Sequence, residues 1–168
     1  MQLIFPSAEF KHKAIEYKQE FYDVNEKHID GSCGFSKYDN FDDWLEDIIN
    51  IQKEAPAGFV TCSTYFAVIK DEVIGMISIR HTLNDTLRFD GGHIGYSVRP
   101  SQRRRGYATQ MLALALEKCH ELEINPVLIT CLKTNIASAK TIINNGGKLD
   151  SEFIDAKGAT SQRYWILR

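Results

Sequence analysis

A chain of 168 residues, 43% hydrophobic and 25% charged, has the make-up of one globular domain spanning 1–168, with no low-complexity segment or repeat to set aside. Its formal net charge of −2 excludes a general nucleic-acid binder, which carries a basic surplus over a whole face. Cys33, Cys62, Cys119 and Cys131 are scattered without a Cys-x-x-Cys, which argues against a zinc site and suits a reducing compartment.

The opening Met1-Gln2-Leu3-Ile4-Phe5-Pro6 has no basic leader and no long apolar run, so the expectation is a cytoplasmic protein without a membrane partner. Gln2 to Phe5 reads as a short strand. Ser7 can cap a helix whose apolar positions Phe10, Ala14, Tyr17, Phe21 and Val24 follow the 3.6-residue period. After a glycine-rich loop at 30–34, Asn40 can cap a second helix burying Phe41, Trp44, Leu45, Ile48 and Ile49, which Pro56 and Gly58 end. Thr64 to Ile69 and Val73 to His81 are β-branched and aromatic, and they read as a hairpin. A polar loop, Asn84 to Gly92, leads to a further strand, His93 to Val98. A helix from about Gly106 to Leu122 carries Ala108, Leu112, Ala115, Cys119 and Leu122 on one side. Val127 to Thr130 is a short strand, and a fourth helix runs from near Asn135 to the Asn145-Gly146-Gly147 stop. Leu149 to Ile154 and Arg163 to Leu167 close the chain as a hairpin. This order predicts an α/β domain with a mixed sheet, an antiparallel meander first and a strand-helix-strand crossover at its centre.

Charge is uneven along the chain. From Glu20 to Glu54 there are ten acids against three bases, while Arg99 to Arg105 carries four arginines. One end suits a polyanion and the other a cation, although acids on a solvated helix face read the same way.

The stretch Val98-Arg99-Pro100-Ser101-Gln102-Arg103-Arg104-Arg105-Gly106-Tyr107-Ala108 joins the strand to the helix through a basic turn. The first N–H groups of a helix lack intrahelical acceptors and the peptide dipoles add, so an anion is the natural ligand there. Gly106 lets a ligand approach the backbone, small Ala108 keeps the first turn open, and three arginines supply forked donors for phosphate. Neither a Walker phosphate loop nor a Gly-x-Gly-x-x-Gly fingerprint occurs.

Arg103-x-x-Gly106-x-Ala108 resembles the signature of the GCN5-related N-acetyltransferases, the GNAT superfamily. Ile79-Arg80-His81, Gly91-Gly92-His93-Ile94-Gly95-Tyr96-Ser97-Val98-Arg99-Pro100 and Asn135-Ile136-Ala137-Ser138 resemble a bacterial branch of predicted acetyltransferases. The resemblance implies a GNAT-like mixed, mostly antiparallel sheet with helices on both faces. It implies that Arg103, Arg104, Arg105, Gly106, Tyr107 and Ala108 hold the pyrophosphate of acetyl-CoA. It also implies that the strand Ile94 to Val98 opens away from its parallel neighbour and pairs with the pantetheine arm. A free N–H near Val98 would polarise the thioester carbonyl.

Asn135 and Ser138 match an element that contacts the cofactor and brings the serine near the sulfur, although Asn is also a preferred helix cap. Where many family members place a general-acid Tyr, seven residues after that Asn, this chain has Ile142. Expelling a thiolate of reference pKa about 8.5 forfeits only about 2 kcal/mol near neutrality, which Ser138 or a water could offset, with Tyr164 as a fallback. A base must accept the amine proton. His93 is the first candidate and His81 the second, and His93→Ala is expected to lose turnover but keep acetyl-CoA affinity. Cys131 has no Cys-His-acid arrangement around it, so direct transfer in a ternary complex is the simpler route.

The expected function is transfer of acetyl from acetyl-CoA, without a metal, to a small-molecule or peptide amine, cations favoured, by a monomer or homodimer. The alternatives are a non-catalytic acyl-CoA-binding or sensing module and a nucleotide-binding protein using the same turn.

Overall fold

The computed structural model describes residues 1–167. An edge strand, β1 (Gln2–Ile4), is followed by a 3-10 turn at Ala8–Phe10 and then α1 (Lys11–Asp23). Ser7 makes no capping bond, so the helix starts later than the sequence suggests. Ala14, Tyr17 and Phe21 are buried as the helical period requires, whereas Val24 lies past the helix end and is exposed. α2 (Phe41–Lys53) begins where Asn40 Oδ1 accepts the Asp42 N–H at 3.1 Å, a cap worth about 1 kcal/mol. Its buried face, Phe41, Trp44 and Ile48, joins Tyr17, Phe21 and Phe35 in an aromatic core. Trp44 stacks on Phe66 of the sheet with ring centroids 5.8 Å apart.

β2 (Cys62–Ile69) and β3 (Glu72–Arg80) form the expected hairpin, and β4 (Ile94–Val98) pairs with β3, giving the antiparallel order β1-β2-β3-β4. Residues 84–92, read from sequence as a loop, contain a five-residue helix, α3 (Asp85–Phe89). Asn84 caps it by accepting the Leu87 N–H at 2.9 Å, and one turn of helix is too short for its period to register. α4 (Tyr107–Glu121) crosses to β5 (Val127–Leu132) and buries Met111, Leu112, Ala115, Leu116 and Cys119 against the sheet. α5 (Ile136–Asn144), β6 (Lys148–Ile154) and β7 (Thr160–Ile166) follow, and the second sheet has the antiparallel order β5-β7-β6.

The element order implied one sheet, but the strands divide into two at the crossover. α1 and α2 cover one face, with α4 and α5 on the other. Among the described residues the sheets meet at a single bridge, Gly92 with Ile129, beside a bond from His93 N–H to Leu128 O at 2.7 Å. Gly92 permits this approach, since a Cβ there would stand 2.5 Å from the Leu128 carbonyl oxygen.

Candidate active site

The register of β4 decides which main-chain groups are free. Arg80 N–H donates to His93 O and Arg99 N–H to Ile74 O, so the bonded positions run through Gly95 and Ser97. The backbone groups of Ile94, Tyr96 and Val98 therefore turn away from β3, toward β5, where no ladder receives them. The two sheets make a wedge, closed at His93 and lined on the β4 side by unpaired donors. Side chains alternate as the sequence predicts. Ser97 meets Tyr17 and the Asp30 carbonyl on the α1 side, while Ile94, Tyr96 and Val98 join the α4 and α5 core.

At the other end of the wedge lies the basic turn. Gly106 is the N-cap of α4 with φ 80°, no side chain caps the helix, and a Cβ at Gly106 would meet nothing within 4 Å. Arg104 is also left-handed, at φ 62°. Left-handed backbone at Arg104 and Gly106 folds the chain sharply into α4, whose first N–H groups lack intrahelical acceptors and whose dipole favours an anion. The side chains divide the work. Arg104 and Arg105 are exposed at the rim. Arg103 is occupied elsewhere: its Nε donates to Val98 O at 3.1 Å, its two terminal nitrogens grip Glu26 at 2.6 Å each, and it lies 5.3 Å over the Phe21 ring.

Arg103, expected to support phosphate, has its guanidinium engaged by protein groups in this structure. It ties the turn to β4 and α1, and its Glu26 partner holds its own carboxyl below the usual range through that bond. Glu20 does the same for Arg99 at 2.6 Å and also accepts the Ser101 N–H. Two of the acids counted as solvated or steering are thus anchors of the turn, a pairing the sequence could not show because about 80 residues separate the partners. Tyr107 and Ala108 pack partly against the core below the turn. Arg103→Ala is expected to lower the Tm, whereas Arg104→Ala and Arg105→Ala should leave the Tm unchanged and raise the KM for acetyl-CoA in a salt-dependent way. A Tm loss confined to the Arg104 and Arg105 variants would reverse these roles.

Asn135 caps α5, its Oδ1 accepting the Ser138 N–H at 3.1 Å. Ser138 then faces β4, with its hydroxyl 2.8 Å from Tyr96 Oη. Sequence reasoning did not single out Tyr96, although its place on the same strand face as Val98 was the available signal. Burial pushes the Tyr96 phenol up to about 12, and Cys131 lies beside the pair, its thiol raised by burial and lowered by Ser138. Ile142 is fully buried, and Tyr164 donates to Gln162 Oε1 at 2.7 Å within the second sheet.

His93, the first candidate for the base, is held at the closed end of the wedge. It is 8% exposed, and its Nδ1 accepts the Leu128 N–H at 2.9 Å, so that lone pair staples the closed end of the wedge. Burial first, then Arg80 and Arg88, lower its pKa to about 4. His81 has both ring nitrogens against hydroxyls, Ser63 Oγ at 2.8 Å and Thr61 Oγ1 at 3.1 Å, and burial lowers its pKa as well. For His93 the folded pKa lies below the unfolded value near 6.5, so its stabilisation is present above that pH and is lost as pH falls toward 4. His93→Gln, which offers an acceptor but does not titrate, is expected to flatten the fall in Tm between pH 6.5 and 4. An acid limb identical to that of the parent protein would remove this assignment.

Among the described residues, no three His, Cys, Asp or Glu side chains gather as a metal site, and no helix is long and apolar enough to cross a membrane. A family model described as an acetyltransferase (GNAT) domain matches residues 36–148, more than half of the chain. The chain belongs to the GNAT acetyltransferases. Its reaction class is therefore acetyl transfer from acetyl-CoA to an amine. This GNAT chain is similar across its length to the microcin C7 self-immunity acetyltransferase MccE, solved with acetyl-CoA and AMP, with TM-score 0.70 and 16% identity over 99% of this chain and 91% of that one. It is also similar to RimL, a ribosomal L7/L12 α-N-protein acetyltransferase solved with coenzyme A, with TM-score 0.72 and 14% identity over 98% and 92%. A spermidine N-acetyltransferase SpeG chimera from Vibrio cholerae and hSSAT gives TM-score 0.66 and 14% identity over 99% and 96%. At such identities the likeness concerns the fold. A search of curated protein sequences finds no match.

Proposed function

We propose that this GNAT acetyltransferase binds acetyl-CoA along the wedge between β4 and β5 and passes the acetyl group directly to an amine, with Val98, Ser138 and Tyr96 as the groups nearest the chemistry. The observation that carries the reading is the continuity of free donors, from the β4 backbone to the open turn at Gly106. These residues suit a ligand with a diphosphate at one end and an amide-bearing arm at the other. When bound, acetyl-CoA supplies an acyl group on a thiol leaving group. The Val98 N–H, unpaired on the β5 side, is the donor for the carbonyl oxygen, while Arg103 occupies the Val98 carbonyl and holds the strand end still. Ser138 Oγ is positioned to donate a proton to the departing sulfur, with Tyr96 Oη beside it to supply the next one.

With Nδ1 accepting from Leu128, neutral His93 carries its proton on Nε2, and both ring nitrogens of His81 meet hydroxyls, so the acceptor gives its proton to solvent at the mouth of the wedge. The pH profile of kcat/KM should then rise with the amine's own pKa, about 7.7–8.0 for an α-amino group or about 10.4 for a lysine-like amine, and not near 6.5. Residues 27–54 retain seven acids against three bases, which supports a cationic amine, whether a small molecule or a peptide terminus. Among the structurally similar proteins, SpeG is named for spermidine and RimL for a ribosomal protein. The four free cysteines suit a reducing cytoplasm.

A melting assay separates the readings. Coenzyme A at 100 times its Kd should add about 2.7 kcal/mol of stability, and ATP much less. Thiol release from acetyl-CoA that depends on added amine supports catalysis. Binding without release across an amine panel would leave an acyl-CoA sensing module, and stabilisation by ATP alone would sink both.

A further inference from the structure

On the face of the first sheet that α1 and α2 cover, away from the diphosphate turn, two thiols from distant parts of the chain meet. Cys33 Sγ, in the loop between those helices, lies 3.6 Å from Cys62 Sγ at the start of β2, and both cysteines are free. The loop is held there by the Trp44 Nε1 bond to Ser32 O at 2.9 Å and by Ser97 Oγ, which donates to Asp30 O. Cys62 is buried and Cys33 half-buried, so Cys33 is the more accessible of the pair. Arg80 sits opposite Cys62 in the β2–β3 register, and the buried Thr64 hydroxyl, with no oxygen or nitrogen partner among the described residues, is two positions along the same strand face.

We propose that Cys33 and Cys62 form a dithiol modification site, which hydrogen peroxide converts to an intramolecular disulfide. The Cys33 thiolate attacks one peroxide oxygen, the O–O bond breaks and hydroxide leaves, so that Cys33 is oxidised by two electrons to a sulfenic acid. Cys62 sulfur then attacks Cys33 sulfur, the S–O bond breaks, and the departing oxygen leaves as water with the Cys62 proton. Two thiols and one peroxide give one disulfide and two waters. The order follows from the environment. The hydrogen bond from Cys62 is the largest influence on Cys33 and brings its pKa to about 7 against burial, with Thr64 and Arg80 acting the same way and Asp47 opposing. Cys62 moves upward because its proton is shared with Cys33 and because it is buried. The thiolate is the nucleophile, and Cys33, half-buried where Cys62 is buried, is the thiol that peroxide reaches first. Cys119, buried in the α4 core, and Cys131, in the second sheet, take no part.

The test uses the full chain without coenzyme A, so it is independent of the acetyltransferase reading. Protein is treated with hydrogen peroxide, remaining thiols are alkylated, and intact mass and peptide maps are recorded. The expected result is loss of two hydrogens, alkylation confined to Cys131 and, after unfolding, the buried Cys119, and one linked peptide pair containing Cys33 and Cys62, reversed by dithiothreitol. The cross-link closes the chain from 33 to 62 and should raise the Tm by several degrees. Cys33→Ser should abolish the linked pair, and Cys62→Ala should leave Cys33 as sulfenic acid that dimedone captures. A disulfide linking two chains, a bridge through Cys131, or Cys33 and Cys62 both still alkylated at peroxide levels that oxidise free cysteine would each overturn the proposal. The wild-type map decides this even if a variant fails to fold.

Discussion

Replacing Gly106 with valine is expected to abolish binding of coenzyme A while the protein still folds. Two properties of the position lead to this. At φ 80° a β-branched residue is strained, by about 1–3 kcal/mol, so the turn would relax away from the conformation that leads into the first N–H groups of α4. The second property concerns space. A Cβ at Gly106 points into the open, meeting nothing within 4 Å beyond its chain neighbours, and that opening is where the proposed diphosphate would come to reach the first turn of α4. The side chain would therefore obstruct the ligand without disturbing the core, because Met111 and Leu112, the buried residues of α4, begin more than a turn further on. Calorimetry with coenzyme A should show heat for the parent protein and none for Gly106→Val. The Tm without ligand should fall by only a few degrees. Coenzyme A affinity within threefold of the parent would mean that the diphosphate sits elsewhere, and the reading of the turn would be lost.

The second large effect is expected at the hydroxyl pair across the wedge. Ser138→Ala removes the proton donor proposed for the thiolate and leaves the Tyr96 phenol without its hydroxyl partner, while Tyr96→Phe removes the phenol behind the serine. General-acid catalysis contributes about 10²- to 10⁴-fold. Because a thiolate leaves readily near neutrality, a fall in kcat toward the lower end of that range, about 100-fold, is expected for Ser138→Ala. Tyr96→Phe should lose less, since Ser138 can still donate. The double variant should resemble Ser138→Ala alone, because the two groups act in series. KM for acetyl-CoA should hardly move in either single variant, and α5 should stay capped, because Asn135 bonds the Ser138 N–H and not its hydroxyl. A Ser138→Ala enzyme with parent kcat and a changed acetyl-CoA KM would make Ser138 a binding contact only.

Much of this molecule can be read from its residues in order, because the signals are local. Alternation along Ile94 to Val98, the helical period of Met111 to Cys119, the Asn40 cap and the Gly106 turn each lie within one or two turns of chain, where backbone geometry and side-chain spacing determine conformation. The Asn135 cap of α5 was legible for the same reason. Tertiary structure decided what those side chains do. His93 has the chemistry of a base in isolation, but the proximity of Leu128 makes it a staple. Arg103 lies in the basic turn, yet Glu26 claims its guanidinium. Tyr96 is an ordinary strand residue until α5 brings Ser138 to it, and Cys33 is an isolated loop cysteine until β2 brings Cys62. In each case the deciding contact joins residues more than twenty-five positions apart. A sequence read along its length sees the local backbone preferences, but which lone pair meets which proton depends on where the folded sheets and helices finally stand.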